Sequence, residues 1–209
     1  MTDGNLDVLD LSVKKFIQAV AAKTPTPGGG SVAGVVGALA VALGEMSLVF
    51  TSGKKKFAAH QAFYDHLAPR LAKARAMFLD LVGDDMAAYS LYQDAGRRDE
   101  GPERDEAVQL ALAAAIDVPR QGAKLALAVL EDFAALADKC SPYLISDLVA
   151  GAALAVAMAR LCDYNVRINV PNVTDKAAAQ DVRRSSAADV AHAEELFRRI
   201  DQAAQAYMP

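Results

Sequence analysis

Apolar residues recur every three to four positions along most of this chain, and alternating β-branched runs bounded by turns do not occur. The pattern therefore predicts helices and no strands. A first helix over residues 8–22 carries Leu9, Val13, Phe16, Ile17 and Val20 at helical spacing and stops before Pro25. A second, over 31–51, opens at Ser31 as its capping residue and closes at Ser52-Gly53 in the manner of a C-terminal glycine cap. The third region runs from 54 to 92, with Pro69 as a kink or break. Gly96-Arg97-Arg98-Asp99-Glu100-Gly101 reads as a loop, after which Pro102 suits the first turn of a helix to 117. Pro119 restarts another to 139, and Cys140-Ser141-Pro142 breaks that one. A long apolar helix follows over 143–170, Pro171-Asn172 ends it, and a more polar helix spans 175–208. The expected fold is all-α, a single-domain helical bundle of about seven helices over residues 1–209.

Within the second helix, Ala33, Gly37, Ala40, Gly44 and Ser47 place the smallest side chains along one stripe, where another backbone can approach closely. Helix packing, inside a bundle or across a dimer axis, is the reading preferred for that stripe. Residues 32–50 are apolar or small except for Glu45, Ser47 and the glycines. A mid-span glutamate is expensive in lipid and no aromatic belt flanks the run, so a buried helix is expected rather than a membrane span.

Composition narrows the picture. The chain is 53% hydrophobic, 23% charged and carries a formal net charge of -4. That balance supplies ample core and argues against a general nucleic-acid binder, which presents a basic surface. Cys140 and Cys162 lie in apolar helical regions and no export signal opens the sequence, so a reducing, cytoplasmic location is the expectation.

The residues with chemical potential are few. His60, His66 and His192 lack metal-ligand spacing, and the sequence holds no nucleophile elbow, phosphate loop or CxxC pair. The glycine triplet lacks the preceding strand of a dinucleotide fingerprint. In Thr24-Pro25-Thr26-Pro27-Gly28-Gly29-Gly30-Ser31 the prolines hold the approach extended and the glycines let a ligand or helix come close. Asp85 lies near a packed face marked by Leu81, Val82, Met86 and Tyr89, where desolvation would raise its pKa and make it a usable base; the alternative is a solvated acid at the edge of that face. Asp147 opens a helix that stays apolar, as a second base or as a simple cap. Lys54, Lys55 and Lys56 follow directly on the glycine helix and suit an anionic ligand, although such runs are commonly solvated. Asn165, Arg167 and Asn169 end the long apolar helix, either to read a polar ring or to satisfy its last carbonyls.

Taken in order, Pro25-Thr26-Pro27-Gly28-Gly29-Gly30-Ser31, Gly53-Lys54-Lys55-Lys56-Phe57, Asp85-Met86-Ala87-Ala88-Tyr89, Ser146-Asp147-Leu148 and Asn165-Val166-Arg167-Ile168-Asn169 resemble the cyclodeaminase/cyclohydrolase family of folate enzymes. The resemblance covers residues 8–175, and departs from the family pattern at Val49 and near Ser141-Pro142, where an Asn is usual. It implies a cyclodeaminase-like helical homodimer acting on a tetrahydrofolate derivative, with no metal and no cofactor beyond that substrate. The leading expectation is methenyltetrahydrofolate cyclohydrolase with an Asp general base. Second stands formiminotetrahydrofolate cyclodeaminase, and third a non-catalytic dimer that binds folate or a protein. Asp85 and Asp147 are then the catalytic residues. Pro27, Gly28, Gly29, Gly30, Ser31, Lys54, Lys55, Lys56, Tyr89, Asn165, Arg167 and Asn169 bind substrate, the lysines through the glutamate tail.

Overall fold

The computed structural model describes residues 8–207, which form six α-helices and no strand. The helices are α1 (Val13–Val20), α2 (Gly29–Val49), α3 (Gln61–Gly96), α4 (Pro102–Ala137), α5 (Ile145–Asn169) and α6 (Lys176–Ala204). Short 3-10 turns occupy Val8–Asp10, Lys55–His60, Pro142–Leu144 and Val170–Asn172. The expected last-helix terminus at Met208 lies outside the described residues.

Two of the expected breaks are absent. Pro69 sits inside α3 and Pro119 inside α4, each helix continuing through its proline. A proline in a helix interior costs about 3 kcal/mol. Here the flanking turns are core: Leu67 and Leu71 bracket Pro69, and Pro119 is itself buried with Ile116, Gly122 and Ala123 around it. Burial of both flanks outweighs one lost hydrogen bond, which is why the count falls to six. Turn chemistry is more legible. Gly53 takes a positive φ of 75° after α2, Pro102 stands in the first turn of α4, and Asp175 caps α6 by accepting from the N–H groups of Ala177 and Ala178.

Helices α2 to α5 pack around one core. Gly34 rests on Val82 and Phe78 of α3, Gly44 on Phe133 of α4, and Gly151 of α5 on the Ala40 carbonyl. α6 lies against α4 and α5 and is tied to them by Lys124–Asp189 at 2.6 Å and Arg160–Glu194 at 2.6 Å. The small stripe Ala33, Gly37, Ala40, Gly44 and Ser47 is buried inside this bundle. Its closeness is used there by Phe78 and Phe133, which press on Gly37 and Gly44.

The outer face of α2 is different. Leu39 is 54% exposed, Met46 40%, Val49 70% and Phe50, just past the helix end, 53%, while the opposite face of the helix is core. By length and composition α2 and the 142–172 segment are each apolar enough to cross a membrane, and half of each such window is buried inside the protein. Glu45, the charge in α2, pairs with Arg75 at 2.6 Å. α1 is strongly amphipathic yet buries none of its residues.

Candidate functional site

α2 begins with bare backbone. Gly28 is its N-cap and offers no side chain, so the first N–H groups of the helix need partners from elsewhere. Asp85, from the middle of α3, supplies one. The Ser31 hydroxyl donates to Asp85 Oδ2 at 3.0 Å, and the Ser31 backbone N–H reaches the same carboxyl. Ser31 is therefore not the cap of α2 but a fully buried residue of its first turn that holds the acid of another helix.

Gly30 is what makes this approach possible. A Cβ at that position would lie 1.9 Å from Asp85 Oδ1 and 2.3 Å from its Cγ, inside any permitted contact. The carboxyl thus occupies the volume of the missing side chain. Under it, Leu81, Val118, Pro119, Met158 and Cys162 form an apolar floor. Burial lifts the Asp85 carboxyl above its ordinary value, and the two Ser31 hydrogen bonds, which favour the charged form, only partly offset that. The same burial, with the Asp85 charge nearby, pushes the Cys162 thiol up to about 12 and leaves it an inert neighbour.

A cavity of about 260 Å³ opens over this carboxyl, walled by Asp85, Tyr89, Tyr92, Asn165, Ile168 and Asn169. The Asn165 amide donates to the Leu161 carbonyl of its own helix at 2.9 Å, and that of Asn169 to the Asn165 carbonyl at 2.9 Å and to the Ala115 carbonyl of α4 at 3.4 Å. The two Asn Oδ1 atoms remain as acceptors with no protein donor among the described residues. Tyr89 accepts from Gln93 at 2.9 Å. Thr26–Pro27 is a cis peptide, and Pro27 is buried just before the glycines.

Within one chain the expected site residues fall in three places. Gly28, Gly29, Gly30, Ser31, Asp85, Tyr89, Asn165 and Asn169 gather at the start of α2, with Asn165 Nδ2 3.9 Å from a Cβ built on Gly29. Lys54, Lys55 and Lys56 are exposed beyond the other end of α2, about 30 Å away at 1.5 Å per residue. Asp147 lies in the first turn of α5, at that same far end, where Leu144 accepts from Ser47. Arg167 turns away from the Asp85 cavity and lines a neighbouring cleft of about 710 Å³ with Tyr164, Lys176 and Arg183. Sequence reasoning missed Tyr92, Gln93 and Ile168 as cavity walls. The first two were findable, because positions 85, 88, 89, 92 and 93 share one face of a helix.

The sequence profile of the family described as Formiminotransferase-cyclodeaminase matches residues 12–188. A methenyltetrahydrofolate cyclohydrolase of Methylorubrum extorquens is 27% identical over 194 residues, covering 90% of this chain and 93% of that protein. The formimidoyltransferase-cyclodeaminase of Mus musculus is 32% identical over 80% of this chain, which spans about a third of that longer protein (32%). The crystal structure of formiminotetrahydrofolate cyclodeaminase from Thermotoga maritima superimposes with a TM-score of 0.89 at 29% identity, covering 97% of this chain and 100% of that one. With its helical fold and its glycine-bounded acid alike in place, this chain belongs to the formiminotransferase-cyclodeaminase family.

Proposed function

We propose that this chain is a folate one-carbon enzyme that hydrolyses 5,10-methenyltetrahydrofolate to 10-formyltetrahydrofolate, with Asp85 as general base. The observation that carries the reading is a carboxyl lifted by burial, fixed by Ser31 and lining a cavity. The likeness to the Methylorubrum cyclohydrolase over nearly its whole length supports the same reaction.

The methenyl carbon is an amidinium centre, electrophilic enough for water once a base is at hand. Asp85 accepts a proton as the water oxygen bonds to that carbon, giving a neutral tetrahedral adduct. The carboxylic acid then donates to N5 as the carbon–N5 bond breaks. The adduct hydroxyl loses its proton as the formyl carbonyl forms, so one proton is released overall. A positioned base of this kind is worth about 10²-fold to 10⁴-fold in rate. The Asn165 and Asn169 oxygens suit the N–H edge of the pterin, and Tyr89 and Tyr92 its faces. The reading needs no cofactor besides the folate.

A second reading is favoured by the Thermotoga cyclodeaminase, which this chain covers end to end. There N10 attacks the formimino carbon of 5-formiminotetrahydrofolate. The leaving nitrogen departs as ammonia after gaining one proton from N10 and one from protonated Asp85. Pure protein incubated with methenyltetrahydrofolate should speed the loss of its near-ultraviolet band. With formiminotetrahydrofolate, ammonia release separates the two reactions. No acceleration of either over buffer would remove catalysis and leave a folate- or protein-binding bundle.

A further inference from the structure

Beside the Asp85 cavity lies a larger hollow, the cleft of about 710 Å³ between the end of α5 and the start of α6. Each helix contributes one stripe to it. Tyr164, Arg167, Ile168 and Pro171 follow the i, i+3, i+4, i+7 pattern along α5 and the turn after it, and Lys176, Ala179, Gln180 and Arg183 repeat that pattern along α6. Three of the lining residues are cations and none is acidic. Between the cations the walls are hydrocarbon, from Ile168, Val170, Pro171 and Ala179.

The cations are held in place but not neutralised. Arg183 enters no hydrogen bond or ion pair among the described residues. Arg167 stands over the Tyr164 ring, 5.9 Å from its centroid, and meets Asp163 only at 3.6 Å, an acid that accepts from the Ser186 hydroxyl at 2.8 Å through its other oxygen. Lys176 donates to the Pro171 and Val173 carbonyls at 3.1 and 2.9 Å, which anchors its ammonium beside the cleft without cancelling the charge. In a chain of formal net charge -4, three cations around one apolar hollow run against the overall balance and focus a positive potential there. Such a hollow suits carboxylates carried on an aromatic or aliphatic stem.

We propose that this cleft is the subsite for the substrate's anionic tail: the aminobenzoyl ring crosses Ile168 to lie against Tyr164 and the apolar wall, and the carboxylates of a γ-linked glutamate chain pair with Arg167, Lys176 and Arg183. The inference rests on the folate reading above and adds a substrate class to it, the tetrahydrofolates that bear more than one glutamate. Ile168 joins the two hollows because it lines both. On α5 it is flanked by Asn165 and Asn169, which wall the Asp85 cavity, and by Tyr164 and Arg167, which wall the cleft. A ring bound over Asp85 therefore has its exit beside the cations. The number of charges sets the tail length. A single glutamate brings two carboxylates and each further γ-linked residue adds one, so three cations are first matched by a tail of two residues. The two arginines can each take a carboxylate through a pair of parallel N–H donors.

The tail can be tested without turnover. Aminobenzoyl tri-γ-glutamate should bind wild-type protein in a calorimetric titration, and protein carrying both Arg167→Gln and Arg183→Gln should bind it at least about tenfold more weakly, the difference shrinking as salt is raised. Arg184→Gln is the control, because Arg184 adjoins Arg183 in sequence yet pairs with Asp181 and lies outside the cleft lining. Its affinity for the tail should stay within about twofold of wild type. In turnover, KM should fall at least about tenfold from monoglutamyl to triglutamyl methenyltetrahydrofolate in wild type, and less than about twofold in the double variant. No binding of the tail by wild type, one KM for every tail length, an Arg184→Gln loss as large as the double variant's, or displacement of the tail by an equal concentration of inorganic phosphate each overturns the proposal. Wild-type protein inactive on both folates fails the functional reading instead, and the calorimetric titration still decides the cleft.

Discussion

At its first turn α2 meets Asp85 across a glycine that lacks a side chain, and at its last turn it meets Thr51, Cys140 and Ser141 in a closed network. The far end is satisfied throughout. Ser47 donates to the Leu43 and Leu144 carbonyls, Thr51 donates to the Ser47 carbonyl at 2.7 Å, and Thr51 Oγ1 in turn accepts from the Ser141 N–H at 2.9 Å. The Cys140 thiol lies 3.8 Å from the same hydroxyl and is raised by burial. The near end holds a carboxyl that Ser31 fixes and that lines a cavity. Two ends of one helix thus use their polar groups differently: one locks the bundle, the other keeps a proton acceptor in reserve.

The difference predicts that substitutions at the near end change turnover and those at the far end change stability. Gly30→Ala is the most severe near-end change. Its Cβ takes the place of the Asp85 carboxyl, and a base displaced by about 1 Å costs on the order of 10²-fold in rate, read as kcat with helical content by circular dichroism unchanged. Thr51→Val is its far-end counterpart. It strands the buried Ser141 N–H and should cost about 1–3 kcal/mol in a denaturant titration while kcat at saturating substrate stays within about twofold. Comparable kcat losses for the two would erase the distinction between the ends.

Ser31→Ala sharpens it further. The Ser31 hydroxyl favours the charged form of Asp85, so its loss should move the acid limb of the rate profile to higher pH while the alkaline plateau falls only a few-fold, about 3-fold to 10-fold. The smallest effect is on the fold itself. The Asp85 carboxyl is raised in the folded state, so the folded protein binds the proton more tightly, and stability declines as pH rises from the ordinary carboxylate value through the folded one. Asp85→Asn removes that burden. The variant should melt higher than wild type at neutral pH, with the gain fading below about pH 4, where the acid is protonated in both states. A gain independent of pH would point to packing instead of charge.

Much of this organisation is legible in the sequence. Helical periodicity, the glycine turn after α2 and the Asp175 cap follow from local rules that tertiary contacts reinforce. Asp85 is legible because its neighbours Leu81, Val82 and Tyr89 announce a packed face, and its raised pKa follows from that packing. Pro69 and Pro119 mislead because the energy that carries a helix through a proline resides in other helices. The placing of Lys54 and Asp147 has the same origin. Adjacency in sequence to the glycine helix says nothing about which end of it a residue occupies, and a helix of 21 residues puts its ends far apart.

The most direct measurement of the central claim is the pH dependence of kcat/KM for methenyltetrahydrofolate hydrolysis, in wild type and in Asp85→Asn, each corrected for the buffer reaction. The wild type should show one acid-side inflection above the ordinary carboxylate value, and the variant should lose that inflection together with about 10²-fold or more of the plateau. A variant that keeps both the inflection and the rate would contradict the account, because a group other than Asp85 would then be taking the proton from water.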